Sequence, residues 1–173
     1  MAINYTYYGT LDEANEYFSN RLHEIAWSEA DPADRPKALR AATIIIDTLN
    51  YKGNKYAVYA LLETNPDATP EEIRAAEASQ PLEFPRGEDT TTPEAIRIAQ
   101  YEMAHALLDG VDPELELQNL GIISSGLASV RTTYNRAQVP IEHIVNGVPS
   151  ALAWRLLMPF LRDDDALRLQ RVS

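Results

Sequence analysis

Glu102-Met103-Ala104-His105 sets a carboxylate and an imidazole three residues apart, which places both on one face of a helix. Bundles that hold two metals between carboxylates use that spacing, but they need it twice together with two further glutamates, and the chain has one copy. The plainer reading is a helix-surface pair, or a histidine at a packed boundary. His23-Glu24 and Glu142-His143 are adjacent residues that diverge in either a helix or a strand, which makes them poor ligand pairs. Ser124-Ser125-Gly126 lacks the flanking glycine pattern that presents a nucleophilic serine, so it reads as a turn. Asp163-Asp164-Asp165 reads as a solvated charge run, because three successive carboxylates cannot converge on one cation. No glycine-rich phosphate cradle is present. The expectation is a protein without catalytic residues, metal or cofactor.

One group of residues could meet nucleic acid. Arg35, Lys37, Arg40, Lys52 and Lys55 are interleaved with Tyr51 and Tyr56. Cations follow phosphates and tyrosines stack on bases, so Tyr51, Lys52, Lys55 and Tyr56 form a candidate patch for single-stranded DNA. The competing reading puts the cations on an outer helix face and packs the tyrosines at its end. The overall charge argues against broad polyanion binding, since the formal net charge is -11 and the pI about 4.6. That excess sits in the middle of the chain: residues 61–120 carry 14 acidic side chains against three basic ones, whereas residues 32–60 carry five basic against two acidic.

The elements that must position these residues are mainly helical. A chain of 173 residues with 45% hydrophobic and 24% charged side chains has the composition of one ordinary globular domain. There is no cysteine, so stability must come from packing. No apolar run approaches the roughly 20 residues needed to cross a bilayer, and Met1 to Thr10 lacks the pattern of a signal peptide; the expectation is a soluble chain without membrane contact. Thr10-Leu11-Asp12-Glu13 has capping-box spacing and opens a helix expected to run to about Trp27. Asp31-Pro32 or Asp34-Arg35-Pro36 opens a second helix through Leu39, Ala42, Ile46 and Leu49, closed by Lys52-Gly53-Asn54. Tyr56 to Leu62 suggests a short helix, and Thr69-Pro70-Glu71-Glu72 begins another that reaches about Ala78. Gln80 to Thr91 reads as an extended loop with Phe84 anchored in the core. Thr92-Pro93-Glu94 begins a third long helix ending before Gly110; a β-prone stretch follows within Gly121 to Asn135; a last helix spans Ala151 to about Met158. The predicted architecture is a small bundle of four main helices with a short β-strand or hairpin and an extended C-terminal tail. Residues 1–162 form one domain, with 55–91 as an insertion and loop, and 163–173 form the tail.

The order of these segments resembles one family. The features that carry the likeness are the helix ending at Trp27, the run Ala38 to Asp47 with its Tyr51-Lys52-Gly53 exit, the loop Gln80 to Arg86, the helix begun at Pro93, the β-prone Leu127 to Tyr134 and the closing Val148 to Leu161. Together they resemble the head-tail adaptor, or head-completion, proteins of tailed bacteriophages, many of which carry the label DnaT-like single-stranded-DNA-binding protein. An extra stretch, Tyr56 to Ser79, departs from that pattern. The resemblance implies a helical structural protein of the virion neck, made in the host cytoplasm. It implies a ring of twelve copies between portal and a tail or stopper protein, with DNA passing through the lumen unread. Within that reading Phe160, Leu161, Arg162, Leu167, Leu169 and Arg171 are the expected portal-docking residues.

Overall fold

A computed structural model describes residues 6–120, 124–127, 130–133 and 142–162, with side chains over 6–118 and 142–162. The helices are α1 (Leu11–Ser19), α2 (Ile25–Ser28), α3 (Arg35–Asp47), α4 (Tyr56–Thr64), α5 (Pro70–Ser79), α6 (Glu94–Leu108) and α7 (Pro113–Leu120), followed by α8 (Glu142–Val145) and α9 (Ala151–Leu157). A 3-10 turn, Met158–Phe160, prolongs α9. Between α7 and α8, β1 (Ser124–Leu127) pairs antiparallel with β2 (Val130–Thr133), Ser124 opposite Thr133 and Leu127 opposite Val130.

The four-helix bundle expected from periodicity is thus corrected to nine α-helices among the described residues. Of the five beyond the four main ones, α4 and α5 are the short helices expected from sequence, and the other three are those that periodicity cannot register. α2 and α8 have four residues each, barely a turn, and Leu115 and Leu117 of α7 are exposed, so none carries an apolar stripe. The expected tail, 163–173, lies outside the described residues.

Two further expectations change. The first helix does not run from Thr10 to Trp27 but stops at Ser19, and His23 adopts φ 58° in the turn before α2. The break lets the chain double back, so that the Phe18 and Trp27 rings stack with centroids 4.5 Å apart. In an unbroken helix nine residues would separate their backbones by about 13 Å. The second helix begins at Arg35, with Pro36 in its first turn, and ends at Asp47 rather than at Gly53. Beyond it Tyr51 turns inward and its hydroxyl donates to the Ile46 carbonyl at 2.9 Å.

Local signals explain the starts that hold. At α1 the Glu13 N–H donates to Thr10 Oγ1 at 3.1 Å while the Thr10 N–H donates to Glu13 Oε2 at 2.7 Å. Thr69 and Glu72 repeat this box at α5. Ser150 Oγ accepts from the Ala153 N–H and caps α9.

The core is organised round α6. Ile96 and every residue from Ala99 to Met103 and Ala104 are buried, a run long enough to cover all sides of the helix. α3, α9 and α2 pack on it, and Tyr17 of α1 meets Tyr101 at 5.6 Å between ring centroids. Phe84 is buried and meets Tyr8, Tyr51 and Phe160 edge to face. α4 and α5 pack on each other, and α5 buries no side chain, so this pair lies outside the main core.

Gly9 shows how tightly the amino-terminal segment is set. Its φ is +70°, and an added Cβ would lie 2.6 Å from the Tyr101 hydroxyl and 2.8 Å from Glu13 Oε2. Gly53 has nearly the same backbone, φ +68°, but open space around it. Gly53→Ala should therefore cost about 1–2 kcal/mol for the left-handed backbone alone, and Gly9→Ala about 2–4 kcal/mol because packing is added. Urea unfolding of both variants checks this; equal losses would mean that the contacts round Gly9 give way without cost.

Candidate functional site

Two places in the described structure fix surface segments by buried polar chemistry. The first is centred on Glu102, which continues the core-facing spacing from Ala99 and is itself buried. Both of its oxygens are occupied. Tyr17 donates its hydroxyl to Oε1 at 2.6 Å, while Arg21 donates Nε to Oε1 at 2.6 Å and Nη2 to Oε2 at 2.8 Å. The other edge of the same guanidinium donates from Nη1 to the carbonyls of Leu22 at 3.0 Å and His23 at 2.7 Å. Arg21 therefore ties the turn after α1 to the central helix. Burial works against the charge of Glu102, but the hydrogen bonds from Arg21 and Tyr17 outweigh it and hold the carboxyl below its ordinary range. Burial, and then the bond to Glu102, push the Tyr17 hydroxyl up to about 12.

His105 does not join Glu102 in a ligand pair. Its ring stacks near Phe18 at 5.6 Å, and its Nε2 is buried without a partner among the described residues. Among those residues no group of three or more histidine or carboxylate side chains is arranged to hold a metal.

The turn that Arg21 pins carries apolar residues outward: Leu22 is 83% and Ile25 62% exposed. Acidic grooves flank it. One of about 490 Å³ lies between α1 and α6, lined by Glu13, Glu16, Tyr17, Glu94, Arg97 and Tyr101 among others. Another of about 570 Å³ is lined by Ile25, Glu29, Asp31, Asp34, Leu108 and Asp109 among others.

The second place is the junction where the described chain ends. Tyr51 and Leu161 form an antiparallel bridge, the Lys52 N–H donates to the Phe160 carbonyl at 2.9 Å, and the Arg162 N–H donates to the Asn50 carbonyl at 2.9 Å. Arg86 donates Nε to the Lys52 carbonyl at 3.0 Å and lies over the Tyr51 ring. Underneath, Asp47 accepts from the Tyr8 hydroxyl and from the Glu83 N–H, while the Phe84 N–H donates to the Tyr8 oxygen at 3.3 Å. Burial pushes the Asp47 carboxyl up, and burial followed by the charge of Asp47 pushes the Tyr8 and Tyr51 hydroxyls far above their ordinary range.

This junction does not bring the candidate nucleic-acid residues into one exposed patch. Tyr51 is 2% exposed and belongs to the core. Lys55 pairs with Glu83 at 3.2 Å and donates to the Gln80 carbonyl, so its charge is spent inside the loop. Tyr56 is half-buried, and Lys52 is the one exposed member of the four. Of the expected portal-docking residues, Phe160 and Leu161 pack against the core, Arg162 is exposed, and Leu167, Leu169 and Arg171 lie outside the described residues.

Sequence reasoning missed the Arg21 clamp because its partners stand 81 residues apart. A signal was nevertheless present: Glu102 interrupts an otherwise apolar helical face, and a charge in such a place must find a partner. The chain matches no family model, no curated protein and no solved structure.

The two carboxyls, Glu102 buried and Asp47 half-buried, predict opposite acid responses. Glu102, with its depressed folded value, contributes stability above the unfolded carboxyl range of about 4.3 and loses it as pH falls through the folded value. Glu102→Gln should cost about 2–3 kcal/mol at pH 7 and clearly less near pH 3. Asp47, with its raised value, stabilises least where it is ionised, so Asp47→Asn should cost under about 1 kcal/mol at pH 7. Denaturant titrations at both pH values decide; a Glu102→Gln deficit independent of pH would show that its charge contributes nothing.

Proposed function

We propose that this chain is the structural head-tail adaptor of a tailed phage. In this reading copies assemble into a ring of twelve between portal and a tail or stopper protein, in the neck of the virion. It is not an enzyme and takes no cofactor. DNA passes through the lumen without being read.

The observation that carries the reading is the junction at Tyr51 and Leu161. Backbone bonds on both sides of the bridge and the packing of Phe160 on Phe84 fix the point from which residues 163–173 depart. A docking segment that starts from a rigid point searches a smaller volume and loses less entropy on binding than one that hangs from a loose end. Leu167 and Leu169 are its apolar anchors and Arg171 its cation. The surplus of 14 acidic over three basic residues in 61–120 suits a lumen that lets DNA slide, since phosphates adhere to cations and are repelled by carboxylates.

Nothing in the placement of Tyr51 and Lys55 favours single-stranded-DNA binding, because stacking a base on Tyr51 would require opening the core.

Native mass spectrometry of the full chain, alone and with portal, tests the proposal. The expected result is a ring alone or on portal, and no shift with an oligonucleotide at low salt. Deleting residues 163–173 should leave the thermal melt unchanged and abolish portal association. A monomer that ignores portal and takes up oligonucleotide would overturn the reading.

A further inference from the structure

We infer that the turn pinned by Arg21 is a docking surface for a second copy of this chain, and that it receives the outer face of α9, formed by Leu152, Arg155 and Met158. The inference rests on the ring reading above and names the contact between neighbours in it.

The turn is built for display. Leu22 and Ile25 are both largely exposed, yet the backbone that carries them is held on several sides at once. Arg21 grips the Leu22 and His23 carbonyls while it is itself fixed on Glu102, and Trp27 beyond the turn is stacked on Phe18. His23 takes a left-handed backbone, φ 58°, which a residue with a side chain adopts at a cost and which the clamp sustains. An apolar residue held rigidly in solvent is already ordered for binding, so little entropy remains to be lost when a partner covers it.

Charge identifies the partner. Beside the turn, Glu16 and Glu94 on one flank and Glu29 and Asp109 on the other have no side-chain partner among the described residues. The complementary surface therefore has apolar side chains with a cation among them. This chain has one. Leu152, Arg155 and Met158 follow at intervals of three, so they share a face; Leu152 and Met158 are 45% and 49% exposed. Most described cations are already engaged by carboxylates, carbonyls or rings. Among the described residues Arg155 and Arg162 are the two whose side chains are not, and Arg155 stands in the middle of this face. Turn against turn would oppose carboxylate to carboxylate, whereas turn against α9 pairs opposite charges across an apolar contact. The two patches differ, so the contact is head to tail, the kind that closes into a ring when its rotation permits.

Native mass spectrometry and sedimentation of the full chain test this with Leu22→Asp and Arg155→Glu, both at exposed positions, after thermal melts establish that each is folded. Each variant should weaken self-association at least tenfold, alone or on portal. Mixing the two should give dimers and nothing larger, because Leu22→Asp keeps a sound α9 face and Arg155→Glu keeps a sound turn. Adding Glu16→Arg and Glu29→Arg to Arg155→Glu should restore assembly. Folded variants that assemble as the parent does would overturn this contact while leaving the ring reading standing. A parent chain that stays monomeric alone and on portal would overturn both.

Discussion

α6 is buried on all sides yet carries polar side chains inside, and two of them reach other parts of the chain. Gln100 and Glu102 are both fully enclosed between apolar neighbours. Leaving either without partners would cost more than several good apolar contacts return. Gln100 accepts from the Tyr8 N–H at 2.6 Å and from the Thr43 hydroxyl at 3.2 Å, which brings the amino-terminal segment and α3 to the same helix. Glu102 takes Tyr17 and Arg21, which brings α1 and the turn beyond it. The bonds accepted by the Gln100 oxygen and the Glu102 carboxylate thus set the places of three chain segments, and apolar packing fills the space between them; the Gln100 Nε2 is buried without a partner among the described residues.

The same logic recurs at Asp47, at the end of α3. Its oxygen accepts from Tyr8 and from the Glu83 backbone, and through them the loop containing Phe84 is drawn onto the core. That loop supports Tyr51 and Arg86, which in turn hold the backbone of residues 50–53 against Phe160 and Arg162. A buried carboxyl on α6 and a half-buried one on α3 therefore each govern a surface feature well away from them: Glu102 the apolar turn, Asp47 the junction at Tyr51 and Leu161. The difference in their protonation follows from their partners. Glu102 receives a guanidinium, which favours the charged form, whereas Asp47 is surrounded by neutral donors in a desolvated place.

The parts of this arrangement that sequence could reveal are those encoded within a few residues. The boxes at Thr10 and Thr69 and the start at Pro93 follow from neighbours in the chain, while Pro32 and Pro36 offer two starts for α3, of which the fold takes the second. What failed was anything decided across the fold. The apolar spacing of Ala14, Phe18, Leu22 and Ile25 reads as one helix, yet Leu22 and Ile25 face solvent, because the chain turns to stack Trp27 on Phe18. Tyr51 beside Lys52 and Lys55 reads more readily as core, though the same residues also make a stacking platform. The choice depended on Ile46 and Phe84 lying where the ring could reach them. Glu102 and His105 lie three residues apart on α6 as their spacing implies, but the chemistry of Glu102 is set by Arg21, which no spacing rule connects to it.

These failures have a functional content. A sequence pattern departs from the structure where an apolar residue expected inside is held outside, and a protein bears that exposure at a cost in solubility unless another surface covers it. Leu22 is such a residue, and its turn is held by a partly buried ion pair rather than by its own apolar contacts. Removing one partner of such a pair is costly, so the turn is kept in a single shape whether or not anything lies on it. That separates display from stability: the outer surface of the turn can change to suit a partner while Arg21 and Glu102 keep the backbone in place. At the carboxyl-terminal junction Leu161 and Phe160 are likewise committed to the body. In both places the fixed backbone comes from polar and aromatic contacts beneath it, so the shape of the surface does not depend on what the surface meets.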